Sequence, residues 1–266
     1  MPVCCEVEIV PIEQERFHAI DKVVMRHAFD IHNSLGRFCD EKIYQDELAT
    51  CCQGVGLATH RELRLNVSCQ DFTKPYIIDL LINNGVMYEL KAAEALHGSH
   101  QEQLINYLLL ADLRHGKLIN FRPSSVESRF VSTKLRYADR VKIRWDEKGW
   151  RSGGDRGDHL RDILSTLLAE WGAFLEANLY REAILHFLRY PGAGVCPVDI
   201  QVSGRTVGAQ EMCLLDDHTA WHLSALRRNV ASYETHLTRL LGHTRLNTMH
   251  WINLDQRVIT LKTLRK

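Results

Sequence analysis

The chain has 266 residues, 45% hydrophobic and 25% charged, enough for two medium-sized domains with apolar cores. Lysine plus arginine equals aspartate plus glutamate at 33 each, so net charge steers nothing toward nucleic acid and a local patch must do so. No apolar run reaches membrane-spanning length, the acid-bearing N-terminus is no signal peptide, and eight cysteines without a C-x-x-C spacing read as reduced thiols of a cytoplasmic protein.

Taken in chain order, an extended start precedes Pro11. Phe17, Ile20, Val24, Ala28, Ile31 and Leu35 then recur at helical steps, which predicts a helix closed by Gly36. A second helix is expected from about Phe38 to Cys52. Strands follow over Leu63–Cys69, Tyr76–Ile82 and Val86–Lys91, the last two separated by Asn83-Asn84-Gly85. A third helix spans about His100–Leu110, and strands over Lys117–Phe121, near Phe130 and near Val141 complete the half. The order predicts a mixed α/β domain.

Chemistry enters in the strands. Asp79 sits inside the apolar run Tyr76–Ile82, and Glu89 and Lys91 lie two apart, hence on one strand face. Charges on so apolar a strand are costly unless paired or bound. Two carboxylates from neighbouring strands suit Mg²⁺, and a lysine beside the ion can orient an attacking water or offset phosphoryl charge. A purely structural Glu–Lys pair is the rival reading. Gln103 and Tyr107, four apart, share one face of the third helix, and Glu41 and Tyr44 share one face of the second.

The segment from about Ala28 to Phe121 resembles the GxxExxY proteins, a RecB-like branch of the PD-(D/E)XK nuclease superfamily. The resemblance rests on His32-Asn-Ser-Leu-Gly36, Glu41-Lys-Ile-Tyr44, Ile78-Asp79, Tyr88-Glu-Leu-Lys-Ala92, Gln103-Leu-Ile-Asn-Tyr107 and Gly116-Lys-Leu-Ile-Asn-Phe121. It implies a restriction-endonuclease-like fold in which Asp79, Glu89 and the Leu90 carbonyl hold Mg²⁺ (or Mn²⁺). Lys91 would act on the water, Gln103 and Tyr107 would support the site, and Glu41 and His32 are further candidate ligands. The family's naming glycine falls at position 38, where this chain has Phe38.

The second half reads as a worn copy. Gly36-Arg-Phe-Cys-Asp-Glu-Lys-Ile-Tyr44 aligns with Gly172-Ala-Phe-Leu-Glu-Ala-Asn-Leu-Tyr180, Leu65, Val67 and Cys69 with Val198, Ile200 and Val202, and Leu118–Phe121 with Trp251–Leu254. In that register Asp79 faces Met212, Glu89 faces His222, Lys91 faces Ser224, Gln103 faces His236, Tyr107 faces Leu240, His32 faces Leu168 and Glu41 faces Ala177. The division expected is a nuclease-like domain over 1–146, a linker over 147–157 and a degenerate repeat over 158–266, packed as an internal pseudo-dimer, with homo-oligomers left open.

The function expected is Mg²⁺-dependent hydrolysis of nucleic-acid phosphodiester bonds, DNA before RNA. Arg129, Lys134, Arg136, Arg140, Lys142 and Arg144 would hold the backbone. The alternatives are an inactive nucleic-acid-binding or scaffold protein that kept the fold, and a zinc hydrolase built on the histidines.

Overall fold

The computed structural model describes residues 3–266, which form two units, Met1–Tyr137 and Ala138–Lys266. In the first, strand β1 (Val3–Cys5) precedes helices α1 (Gln14–Leu35) and α2 (Glu41–Gly54). Strands β2 (Thr59–Cys69), β3 (Phe72–Ile82) and β4 (Val86–Lys91) follow, then α3 (Gly98–Leu110), β5 (His115–Asn120) and β6 (Glu127–Ser132). A short helix α4 (Tyr137–Arg140) straddles the division. The second unit contains β7 (Arg144–Gly149), α5 (Asp155–Trp171), α6 (Ala177–Phe187), β8 (Gly194–Val202), β9 (Arg205–Asp216) and β10 (Thr219–Ser224). It ends with α7 (Val230–Gly242), β11 (Thr248–Asp255) and β12 (Val258–Arg265). Each unit is α/β, a six-stranded mixed sheet flanked by helices.

The predicted stripe of α1 is what the fold buries: Phe17, Ile20, Val24, Ala28 and Ile31 pack with Tyr44, Leu48 and Cys52 of α2 against Tyr88 and Leu90 of β4. Gly36 takes φ 72°, a conformation that lets it close α1 at little cost. The strands run in the order β1-β2-β3-β4-β5-β6, all neighbours antiparallel except β4 and β5, whose parallel pairing is bridged by α3. Between β3 and β4, Asn83 (φ 48°), Asn84 (φ 58°) and Gly85 make the predicted turn. A side chain on Gly85 would strike the Val10 carbonyl, so only glycine fits there.

The second sheet runs β7-β12-β11-β10-β9-β8, again with one parallel pair (β10 and β11) bridged by a helix and a second where β7 joins β12. Its register tracks the first. Met87 pairs with Gly116 and Lys91 with Asn120; 133 positions further on, Ala220 pairs with Met249 and Ser224 with Asn253. The β5–β6 pair Gly116 and Val131 is likewise matched by Met249 and Leu264. Buttressing bonds recur as well. The Tyr44 hydroxyl donates to the Gly36 carbonyl (2.8 Å) as Tyr180 does to Gly172 (2.5 Å). The Asn120 amide donates to Ala93 (2.7 Å) as Asn253 does to Leu226 (3.0 Å).

The expected division needs correction. The strand near Val141 is β7, which begins at Arg144 and pairs with β12 of the second sheet, so the boundary falls at 137/138 rather than after 146. Nor is 147–157 a free linker, since it contains the end of β7 and the first turn of α5. Two of its glycines serve close packing: a side chain on Gly149 would meet Lys262, and one on Gly157 would strike the Ser152 carbonyl.

Candidate active site

The pairing of β3 with β4 runs from Ile82 and Val86 to Leu80 and Tyr88 and stops there. One residue further on, Asp79 and Glu89 would face each other, and instead the strands part. The Asp79 side chain fills the gap, one carboxylate oxygen accepting the Leu90 N–H at 2.8 Å. Alternation along β4 sends Tyr88 and Leu90 into the core under α1 and α2 and leaves Glu89 and Lys91 on the opposite face. The site therefore lies where the central strands open.

Three carboxylates surround one ammonium. Lys91 Nζ lies 2.7 Å from Glu89, 3.8 Å from Glu41 and 4.0 Å from Asp79. Glu41, the first residue of α2, reaches across to accept the Ala92 N–H at 3.3 Å. Gln45, one turn further along α2, donates to the Asp79 backbone carbonyl at 2.6 Å and so ties the helix to the splayed strand. Sequence reasoning missed Gln45, although its spacing of four from Glu41 put both on one helix face. On α3, the Gln103 amide donates to the Tyr107 hydroxyl at 3.0 Å, as their spacing implied.

Charge and burial conflict here. Glu89 is 1% exposed, and burial together with the Asp79 charge pushes its carboxyl up to about 8 despite the Lys91 contact. Burial also raises Asp79, against the opposing Leu90 N–H and the Lys91 charge. Burial pulls Lys91 down, but Glu89, Asp79 and Glu41 outweigh it and hold the ammonium above its ordinary value. Burial raises the Tyr107 phenol, and the Asp79 and Glu89 charges raise it further. The field of Lys91 reaches His100, whose imidazole burial and that charge together lower.

A divalent cation fits this donor set. Three carboxylates against one ammonium leave two negative charges in excess when Glu89 is ionised and one when it is protonated, and Glu89 Oε2 is buried with no hydrogen-bond partner among the described residues. An orphaned carboxylate oxygen costs on the order of 1–3 kcal/mol or more, which an ion or a proton would relieve. Among the described residues no group of three or more His, Cys, Asp or Glu is gathered tightly enough to cage a metal. Mg²⁺ does not require one, since it keeps several waters and takes one or two carboxylates.

Other expected members stand elsewhere. His32 is buried, and its Nε2 donates to the Pro123 carbonyl at 3.0 Å, a bond that braces the end of α1. The basic run divides between the two units. Arg129, Lys134 and Arg136 belong to the first unit, and Arg140, Lys142 and Arg144 to the second. Arg140 is 1% exposed and donates to the Trp171 carbonyl at the end of α5, so it is unavailable to a nucleic acid. Lys142 pairs with Asp139 at 3.1 Å. In the second unit the places of Glu89 and Lys91 are taken by His222, 2.7 Å from the Tyr233 hydroxyl, and Ser224, which bonds Asn253 and Trp251.

Residues 18–131 match the family model described as the PD-(D/E)XK nuclease superfamily. The matched span contains Glu41, Asp79, Glu89, Lys91, Gln103 and Tyr107. No curated protein and no solved structure matches the chain. No helix among the described residues is long and apolar enough to cross a membrane.

Proposed function

We propose that the first unit is a metal-dependent nuclease of the GxxExxY type that hydrolyses nucleic-acid phosphodiester bonds. Asp79, Glu89 and the Leu90 carbonyl would hold Mg²⁺ or Mn²⁺, with Glu41 completing the negative wall. When bound, the ion supplies Lewis-acid stabilisation of phosphoryl charge and lowers the pKa of a water. The observation that carries the reading is the Glu89 side chain. One oxygen is bonded to Lys91 and the other is orphaned in a buried site with excess negative charge, inside the span that matches a nuclease family.

The chain's own residues have separable tasks. Lys91, held by its carboxylates, would place a positive charge beside the scissile phosphate and orient a water. Gln45 keeps β3 in place through the Asp79 carbonyl, and the Leu90 N–H fixes the Asp79 carboxylate, so the first ligand is set before substrate arrives. Gln103 and Tyr107 wall the site from α3. Arg129, Lys134 and Arg136 would hold the phosphate backbone through salt-sensitive contacts.

The second unit is read as a duplicate that lost the site. The 133-residue register across β10, β11 and β12 supports this, together with the recurring Tyr–Gly and Asn–backbone bonds. Labelled single- and double-stranded DNA and RNA, incubated with Mg²⁺ or Mn²⁺, test the activity. Cleavage by the wild type that Asp79→Ala and Lys91→Ala abolish supports the reading. Absence of cleavage together with absence of metal binding leaves an inactive scaffold.

A further inference from the structure

We infer that the mouth of this site receives an unpaired stretch of polynucleotide, one base stacking on Phe38 while Arg37 and Arg122 hold the adjacent phosphates. The inference rests on the nuclease reading of the neighbouring carboxylates and narrows its substrate to single strands, overhangs or unpaired ends.

Phe38 is 75% exposed, an unfavourable setting for a ring whose full burial is worth roughly 1.5–3 kcal/mol. The loop that carries it is not loose. Tyr44 clamps both sides, donating to the Gly36 carbonyl (2.8 Å) and accepting the Cys39 N–H (3.1 Å). The Tyr44 ring in turn stacks on Phe121 at 4.4 Å and 6°. The ring is therefore held out in water by a braced loop.

Two guanidiniums accompany it. Arg37 Cζ lies 4.8 Å and Arg122 Cζ 6.0 Å from the ring centroid. Neither guanidinium has a carboxylate at ion-pair distance among the described residues. Arg122 is anchored by its Nε to the Ala92 carbonyl at 3.2 Å, and the Ala92 N–H is the donor that fixes Glu41. The platform is thus one residue along the chain from Lys91.

An exposed π-face flanked by unpaired cations fits a base and its phosphates. A duplex buries base faces against one another, so only an unpaired base can lie on the ring. The scaffold itself does not demand the arrangement. In the second unit Phe174 stands where Phe38 does and is half-buried, while Ala173 and Asp255 replace Arg37 and Arg122.

The test is binding of the full chain, with metal chelated, to a labelled single-stranded DNA of about ten nucleotides, the matching RNA, and a blunt duplex. Phe38→Ala should weaken both single strands by about tenfold while Phe38→Trp retains them and duplex affinity stays put. Arg37→Ala and Arg122→Ala should each lower the salt slope of single-strand binding by about one. An unchanged urea midpoint shows that the exposed substitutions spare the fold. The proposal is overturned if Phe38→Ala binds single strands as the wild type does, if single strand and duplex lose affinity equally, or if the wild type binds no single strand. Cleavage with Mg²⁺ separates the two readings. Binding that depends on Phe38 without cleavage sinks the nuclease alone. Cleavage indifferent to Phe38 at low substrate sinks this platform alone.

Discussion

Lys91 Nζ and Glu89 Oε1 stand 2.7 Å apart on the same strand face, while the second oxygen of Glu89 meets no donor among the described residues. The pair is half complete: the ammonium satisfies one side of the carboxylate, while burial and the Asp79 charge oppose its ionisation.

Mg²⁺ should stabilise the first unit. A ligand that binds only the folded state at about a hundred times its Kd contributes about 2.7 kcal/mol. Differential scanning of the wild type with and without Mg²⁺ should show a rise of several degrees in Tm. The rise should vanish in Asp79→Asn, which keeps the shape and loses the charge. A rise that persists in that variant would place the ion elsewhere.

Lys91→Met should destabilise as well as inactivate. Removing one partner of a largely buried ion pair leaves its charge uncompensated, at a cost of about 3–5 kcal/mol. Urea denaturation above about pH 8, where Glu89 is ionised, should show this loss, and cleavage should fall by more than about a hundredfold, the scale of losing one preorganised electrostatic contact. Adding Mg²⁺ should restore part of the stability but not the activity.

The two asparagine clasps should behave alike. Asn120 bonds both the carbonyl and the N–H of Ala93, and Asn253 does the same with Leu226. Both are 2% exposed or less. Asn120→Ala and Asn253→Ala should each cost about 1–3 kcal/mol, read as a lowered transition of the first and second unit respectively. If one is neutral, the shared scaffold does not use this clasp in the same way.

Acid should act on the second unit through His250, which is 2% exposed, its ring 4.5 Å from that of Trp150 and tilted 43° to it. Burial lowers its imidazole from 6.5 to about 4. The folded state thus favours the neutral ring, so the stability it contributes is complete above 6.5 and is lost as pH falls from there through about 4. His250→Phe keeps an aromatic ring beside Trp150 that cannot protonate. Its unfolding midpoint, followed by the fluorescence of the second unit's tryptophans, should decline less than the wild type's over that window. Parallel declines would show that other groups carry the acid response.

Local pattern was sufficient for much of the site. The stripe from Phe17 to Ile31 and the turn at Asn83-Asn84-Gly85 are statements about periodicity and backbone freedom, and both stand in the fold. Asp79, Glu89 and Lys91 could be placed together from strand alternation and a short connection, because such geometry depends on near neighbours. Residues far apart in the chain were decided by the tertiary structure. His32 reads as a candidate ligand from its motif, and only the fold shows that Pro123, 91 positions away, meets one of its ring nitrogens. Arg140 reads as part of a basic patch until the end of α5 folds over it and removes it from water. The strand at Arg144–Gly149 looks like the end of the first domain and pairs instead with Val258–Lys262. A charge run states which residues carry charge. Which partner each one meets, and so whether it is spent inside the fold or left for a ligand, depends on contacts that only the folded chain brings together.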